Sequence, residues 1–425
     1  LKRIKKIFES SLFKVFSLNS VSVVIRVLGG LITSKIIAKF LGPSGLALIG
    51  NQRNFLSITD SVSTLGFQNG IIKYVAEFEK NETKLNEVLS TLFFSILGLV
   101  LILGTVLFFS ADYFSLFFLK NPEHQWVFKV LAFALPWYAG NIIITSVLNG
   151  LSKYKQVIKV NIAGNITGVL LSAFLTWQYS IEGALLAITL TPAIMFIFSF
   201  LMLKKQLPGF GYIDFSFFNP GVLKNFFSYS LMALVTVVMG ALVSLYIRNS
   251  IIFQYGENEA GYWEAVNRIS TYYLMFVSTL LTVYFFPKLS KAVTNKETQK
   301  VFFSYYKTVM PLFGLALIFI FLIKRFIITI LLSDEFLPMS ELFVWQLTGD
   351  FLKACSLILG YEFFAKKMTK AFIITELLSF AILYITATFF IKGFGAQGAV
   401  MAHTFTYVIY LLILTFFFRK KIFIY

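Results

Sequence analysis

The sequence predicts an all-α polytopic membrane protein: twelve transmembrane helices in two parallel, pseudo-symmetric six-helix bundles with a central cavity. Three observations predict it. Hydrophobic residues fill 58% of the 425 positions and charged residues only 13%, where a soluble domain carries about 25% charge. Mean hydropathy is +0.79. Apolar runs of spanning length recur along the chain, and the pattern of the first half returns in the second. Too little charge remains to cover a water-facing surface, which excludes a soluble enzyme. Disorder needs low hydrophobicity and high charge, so it is excluded too.

A span needs roughly 20 mostly apolar residues. Uncharged runs of that length lie at 88–111, 131–152, 160–181, 183–203, 225–247, 269–287 and 393–418. The shorter run 308–323 extends back through Lys307 into Val301-Phe302-Phe303. Four more segments are apolar but interrupted by charge: 15–39, 44–72, 340–365 and 371–391. Asp112–Lys120 and Arg325–Ser333 are apolar yet too short to span, and each fits an interfacial helix on the outer leaflet.

The net charge of +17 would suggest nucleic acid on a soluble protein. Here the basic residues gather in alternate loops, so no nucleic acid is expected. One set spans Lys2–Lys6, Lys73–Lys84, Lys153–Lys159, Lys204–Lys224, Lys288–Lys300, Lys366–Lys370 and Arg419–Lys421. The opposite set is sparse: Lys35, Lys39, Lys120, Arg248, Lys324, Arg325 and Lys392. The positive-inside rule then puts both termini in the cytoplasm. The basic start, Leu1-Lys2-Arg3-Ile4-Lys5-Lys6, is like a signal-peptide n-region, but Lys14 and Arg26 interrupt the apolar stretch and no convincing cleavage site follows. A retained first helix is expected, and a start at Leu rather than Met suggests a few missing residues or an unusual start codon. Cys355 is the lone cysteine, so no internal disulfide forms, and His124 and His403 are too far apart to suggest a metal.

The halves match by duplication. At an offset of 213, Phe16-Ser17-Leu18 falls on Tyr229-Ser230-Leu231, and Leu151-Ser152-Lys153 on Phe364-Ala365-Lys366. At 216, Gly45 falls on Gly261 and Asn51 on Asn267, with Arg53 and Arg268 within one position. The predicted division is a lobe over 1–203, a linker over 204–224 with Pro208, Gly209, Gly211 and Pro220, and a lobe over 225–425. Six spans return the chain to its starting side, so the lobes are parallel, and such pairs rock about a site near the midplane. That architecture favours a transporter over an enzyme or a channel.

A charge at the bilayer centre costs about 2.5–3.5 kcal/mol on insertion scales, so such residues face a wet cavity or a partner. The N-terminal half carries Arg26, Lys35, Arg53 and Asp60; the C-terminal half carries Glu264, Arg268, Asp350, Lys353, Glu362 and Glu376. Helical spacing predicts neutralising pairs Glu264–Arg268, Glu362–Lys366 and Asp350–Lys353. Lys35 can snorkel outward. Arg26, beside Gly29-Gly30, and Arg53 have no such neighbour. The first half is net positive, which suits an anionic headgroup, and the guanidinium fork suits phosphate. The second half is net negative, with Glu376 the most isolated acid. The candidate headgroup ligands are therefore Arg26, Lys35, Arg53 and Arg268. Asp60, Glu264, Asp350, Lys353 and Glu376 are candidates for gating or for coupling to a proton or Na+ gradient. No cofactor, metal or catalytic residue is expected.

The stretches Phe40-Leu41-Gly42-Pro43-Ser44-Gly45-Leu46, Asn51-Gln52-Arg53 and Gly70-Ile71-Ile72-Lys73-Tyr74-Val75-Ala76 resemble the Wzx-type flippases of the multidrug/oligosaccharidyl-lipid/polysaccharide exporter superfamily. Tyr262–Ser270 and Trp345–Lys353 look similar to the lipid III branch, which serves enterobacterial common antigen beside the O-antigen branch. The resemblance covers essentially the whole chain. It implies movement of an undecaprenyl-diphosphate-linked oligosaccharide from the cytoplasmic to the periplasmic leaflet. It further implies a cationic cavity, with Arg26, Lys35 and Arg53 at matching positions. Membrane lipid and the polysaccharide polymerase and chain-length machinery are the implied partners. Glu264 and Arg268 depart from the enterobacterial pattern and leave the sugar open.

Three alternatives stand beside it. A multidrug/cation antiporter of the superfamily wants an acid-dominated N-terminal cavity. A lipid II flippase often carries extra spans. A membrane polymerase or ligase has a long outer loop bearing catalytic residues, and the loops 112–125 and 324–339 are short and apolar. The loop charges make a direct prediction. Alkaline phosphatase fused after Lys120 or Ser333 is active, and fused after Lys153 or Lys366 it is silent. The reverse pattern would invert the topology.

Overall fold

The computed structural model describes residues 11–205 and 213–423. The basic N-terminal segment Leu1–Lys6 and the linker residues Pro208, Gly209 and Gly211 lie outside the described residues. Every regular element among the described residues is helical. The chain opens with α1 (Ser11–Ser63), α2 (Gln68–Phe78), α3 (Glu82–Phe109), α4 (Ala111–Phe114), α5 (Gln125–Gly150) and α6 (Tyr154–Lys204). Then follow α7 (Pro220–Tyr255), α8 (Glu257–Leu280), α9 (Phe286–Lys291), α10 (Asn295–Leu322), α11 (Lys324–Leu331), α12 (Phe343–Ala365), α13 (Thr369–Phe417) and α14 (Arg419–Ile422).

Length alone requires three of these helices to break. A straight helix of 51 residues, the size of α6, would run about 75 Å, far beyond a hydrocarbon core of roughly 30 Å. The backbone leaves helical geometry at Gly42 in α1, at Tyr179 and Ser180 in α6, and at Gly395 in α13. Divided there, the described chain makes twelve crossings. Phe133, Leu312 and Phe389 are 72%, 70% and 71% exposed on these helices. Large apolar side chains bared along whole helices are solvated by lipid rather than water. One predicted span is corrected: 44–72 is not continuous. α1 ends at Ser63. The chain turns through Leu65 and Gly66, at φ 52° and 63°, where a Cβ on Gly66 would meet the Ser230 carbonyl at 3.1 Å.

The duplication is written in the backbone. Ser152 (φ 56°) matches Lys367 (φ 53°), and Ser180 (φ 51°) matches Gly395 (φ 55°), each 215 positions on. The same offset relates two close approaches: Gly183 meets the Leu175 carbonyl, and Gly398 meets the Phe390 carbonyl. The helix breaks at Gly42 and Gly256 also correspond, at φ 64° and 92°. The two short apolar elements correspond as well. Ala111–Phe114 runs on through a π-turn, Ser115–Leu119, and its counterpart is α11. Both are two-faced: Tyr113, Leu116 and Phe117 are exposed where Phe118 is buried, and Phe326 and Ile330 are exposed where Ile328 is buried. Phe118 and Phe114 anchor the first on Phe55, at ring distances of 4.6 and 5.6 Å.

Two compact units result: Leu1–Ile36 with Asn51–Val238, and Ile37–Gly50 with Met239–Tyr425. The short segment around the α1 break is thus a member of the second unit. Gly261 of α8 makes room for it, since a Cβ there would run into the Pro43 carbonyl. In the first unit, the end of the linker docks on α3. The backbone N–H of Asp214 donates to Ser90 Oγ at 3.1 Å and that of Asn219 to Thr91 Oγ1 at 2.9 Å. The Asn219 amide donates to the Glu87 carboxylate. The Ser216 N–H holds the solvent-facing Asp214 carboxyl below its usual range.

Ser180 and Gly395 share one backbone geometry, with ψ of −128° and −131°, a corner that glycine takes freely and other residues do not. Ser180→Gly should therefore stabilise the detergent-solubilised protein by about 1 kcal/mol. Gly395→Val should lower the melting temperature, because its Cβ would sit 3.1 Å from the Tyr255 ring. Thermal unfolding measured by tryptophan fluorescence checks both signs.

Candidate functional site

In the first unit, α1 carries the polar run Asn51-Gln52-Arg53-Asn54 into an apolar surrounding. Asn51 and Gln52 are buried and Arg53 is half-buried. The Gln52 amide donates to Thr189 Oγ1 of α6 at 2.8 Å. Its own Oε1 finds no hydrogen-bond partner among the described residues; nor do Asn54 Nδ2, Asp60 Oδ1 or Asn141 Oδ1, all buried. An unmet buried amide or carboxyl costs roughly 1–3 kcal/mol. Each such group on a membrane helix is a place where water or a polar ligand belongs.

The helical repeat separates the two cations of the first crossing. Lys35 lies on the exposed stripe with Val24, Leu28 and Ile32; at 100° per residue it stands within about 20° of Val24 and Leu28. That is an apolar face of the helix. Arg26 is exposed on nearly the opposite side, the side of the buried Thr33 and Ile37. Arg53 and Asp60 share one face of α1, two turns apart.

In the second unit, Glu264 of α8 sits between two arginines. Arg248 Nη2 of α7 reaches Glu264 Oε2 at 2.5 Å, and Arg268 Nε reaches Oε1 at 2.8 Å. The predicted Glu264–Arg268 pair is present, and Arg248 makes it a triad. All three side chains are at least nine-tenths buried. Gly50 permits this, since a Cβ there would stand 2.6 Å from the Glu264 carboxyl carbon and 2.8 Å from Arg248 Cζ. The Arg248 guanidinium also lies 5.3 Å over the Trp263 ring. The triad is a buried cluster of net charge +1. Arg268 Nη1 and Nη2 are buried without a hydrogen-bond partner among the described residues.

The remaining acids are paired differently from the helical-spacing expectation. Asp350 is fully buried and does not bond to Lys353. It accepts from Ser270 Oγ at 2.6 Å, from Tyr273 OH and from Gln346 Nε2 at 3.2 Å to both oxygens, and it shares a hydrogen bond of 3.0 Å with His403 Nε2. Lys353 Nζ instead lies 5.4 Å over the Tyr407 ring. Glu362 pairs with Lys421 at 2.6 Å, not with Lys366, whose ammonium donates to the carbonyls of Leu289, at 2.8 Å, and Ala292. Glu376 is not isolated, because Tyr410 OH donates to it at 3.2 Å. The reason is common to all three. Helical spacing puts two residues on one face, but a partner on a neighbouring helix approaches head-on.

Arg248 and His403 were not singled out by the sequence. Arg248 reads as a loop cation, because the apolar run ends just before it while α7 continues to Tyr255. His403 had a usable signal: it is the one histidine in the uncharged run 393–418.

The chain resembles known proteins over nearly its full length. Residues 12–293 match the family model described as polysaccharide biosynthesis protein. The chain is 30% identical over 405 residues to the lipid III flippases of Escherichia coli (strain K12) and Shigella flexneri, covering 94% of this chain and 96% of each relative. Among solved structures, an inward-facing MATE family transporter of the MOP superfamily superposes with a TM-score of 0.80 at 14% identity, over 93% of this chain and 94% of that one. The lipid II flippase MurJ, in an inward closed conformation, gives 0.73 at 18% identity, over 96% and 89%. These likenesses establish the fold, and the sequence matches establish the lineage: the chain belongs to the polysaccharide biosynthesis protein family.

Proposed function

We propose that the protein is a flippase for a lipid-linked oligosaccharide of the lipid III class, carried on undecaprenyl diphosphate from the cytoplasmic to the periplasmic leaflet of the inner membrane. The observation that carries this reading is the 30% identity to lipid III flippases across 94% of the chain. The chemistry of the first unit supports it. Arg26 and Arg53 supply charge for a diphosphate, and the unmet Gln52, Asn54 and Asn141 amides supply the hydrogen bonds a sugar headgroup exchanges with water. Arg268, with two unused donors at a buried cluster of net positive charge, is the equivalent cation of the second unit, within one residue of the repeat position of Arg53. Lys35, on the apolar face, serves as an anchor at the membrane edge. We place both termini in the cytoplasm, and the polymerase and chain-length machinery as partners, on loop charge and family resemblance. A multidrug antiporter is the weaker reading, because it rests on fold likeness at 14% identity.

In a deletion strain, mass spectrometry of extracted undecaprenyl-linked glycans should find one oligosaccharide-diphosphate lipid accumulating on the cytoplasmic leaflet. No accumulation, together with altered sensitivity to cationic drugs, would favour the antiporter. Arg26→Ala and Arg53→Ala should each abolish complementation, with the Lys variants partly active and Lys35→Ala affected less than either. Full activity in both arginine variants at normal expression would remove the anion site. Glu264→Gln leaves two buried arginines without their carboxylate, and should destabilise the fold by about 3–5 kcal/mol, read as a large drop in melting temperature.

A further inference from the structure

We propose that His403, held by Asp350, is the proton-binding site that couples transport to a proton gradient, and that the ion used is H+ rather than Na+. The coupling half of this inference rests on the transport reading above; the protonation half does not.

The hydrogen bonds fix the chemistry. Asp350 Oδ2 accepts from Ser270, Tyr273 and Gln346, and Oδ1 accepts from Gln346 and lies 3.0 Å from His403 Nε2. We assign the one hydrogen between that pair to Nε2, the tautomer that leaves an ionised carboxyl with donors on both oxygens. Nδ1 is left as the basic atom, on a side chain that is 15% exposed. A proton arriving at Nδ1 gives an imidazolium with Nε2–H still donated to Asp350, and the pair passes from net charge −1 to zero. No bond other than N–H forms.

The same geometry is wrong for Na+. A hard cation needs several oxygen lone pairs turned towards it. Here the hydroxyls and the amide point their hydrogens at Asp350. Lys353 adds a fixed positive charge in the same cluster.

The site also spans helices that would have to respond. Ser270 and Tyr273 come from α8, Gln346 and Lys353 from α12, His403, Tyr407 and Tyr410 from the second half of α13, and Glu376 from its first half. Tyr407 packs on His403 at 4.9 Å and on Tyr410 at 6.2 Å between ring centres, and Tyr410 bonds Glu376. These are the titratable groups around the pair. Gly349 leaves the room for it: a Cβ there would stand 3.1 Å from His403 Nε2 and 3.0 Å from Thr404 Oγ1. Thr404 Oγ1 in turn donates to the Trp345 carbonyl at 2.6 Å. Charging the imidazole therefore alters the polar contact that locks α12 to the second half of α13.

The chain has two histidines, so His124→Gln leaves His403 as the sole imidazole. The ¹⁵N spectrum of that full-length variant in nanodiscs should pass from the neutral to the doubly protonated pattern between alkaline and acid buffer. Replacing choline chloride by NaCl should leave it unchanged, and Asp350→Asn should remove the low-field Nε2–H resonance. In proteoliposomes, an imposed proton gradient should accelerate movement of an NBD-labelled isoprenyl diphosphate. His403→Gln and the permanently charged His403→Arg should both lose that acceleration. An imidazole unresponsive to pH, or displaced by Na+, would overturn the site. A normal imidazole response with acceleration intact in both variants would overturn the coupling. A normal response with no probe movement in any protein would overturn the transport reading, and the coupling with it.

Discussion

Hydrocarbon gives a peptide group nothing to hydrogen-bond to, and the rest of this structure follows from that constraint. Every crossing is helical because a helix satisfies its own backbone. The three longest helices break near their midpoints, so each break separates one crossing from the next. There the chain uses glycine, or a serine in a glycine-like corner, and closes the corner tightly. The approach of Gly183 to the Leu175 carbonyl and of Gly398 to the Phe390 carbonyl shows how little room is left. Apolar side chains such as Leu312 and Phe389 can then face outward without cost, because lipid replaces water around them.

The same constraint acts on side chains. In the second unit Asp350 is surrounded by donors from α8, α12 and α13, while Gln346 Oε1 and Glu362 Oε2 stay unmet among the described residues. In the first unit Gln52, Asn54, Asp60 and Asn141 each keep an unmet polar atom among the described residues. A satisfied group specifies packing, whereas an unsatisfied one awaits a ligand or water. The buried triad falls between these extremes, with Glu264 fully engaged by two arginines and Arg268 retaining two unused donors.

Duplication supplied the frame for both. Ser152 and Lys367 occupy one backbone corner, and Ser180 and Gly395 another, so the frame was kept while the residues filling it diverged. The chemistry did not stay equivalent. Arg53 and Arg268 still correspond within one residue, yet one is half-buried and the other lies in an ion cluster. The segment Ile37–Gly50 belongs to the second unit although it is part of the first helix pair. Gly50 and Gly261 are small because of what that segment meets there.

The sequence by itself determined the membrane environment, the twelve crossings, the duplication and the two short apolar elements. These depend on hydropathy and period, which are local and additive along the chain. It also identified most of the charges on the membrane helices, Arg248 excepted, because a charge inside an apolar run stands out whatever surrounds it. It did not determine their partners. Asp350 with Lys353, and Glu362 with Lys366, are plausible on one helix, but His403 and Lys421 lie far along the chain and reach the acids from other helices. Arg248 reads as a loop residue until α7 is seen to continue past it. The opposite faces of Arg26 and Lys35 follow from the helix, but which face meets lipid was decided by packing. Partner choice is a matter of distance between side chains remote in sequence, and only the tertiary structure sets that distance.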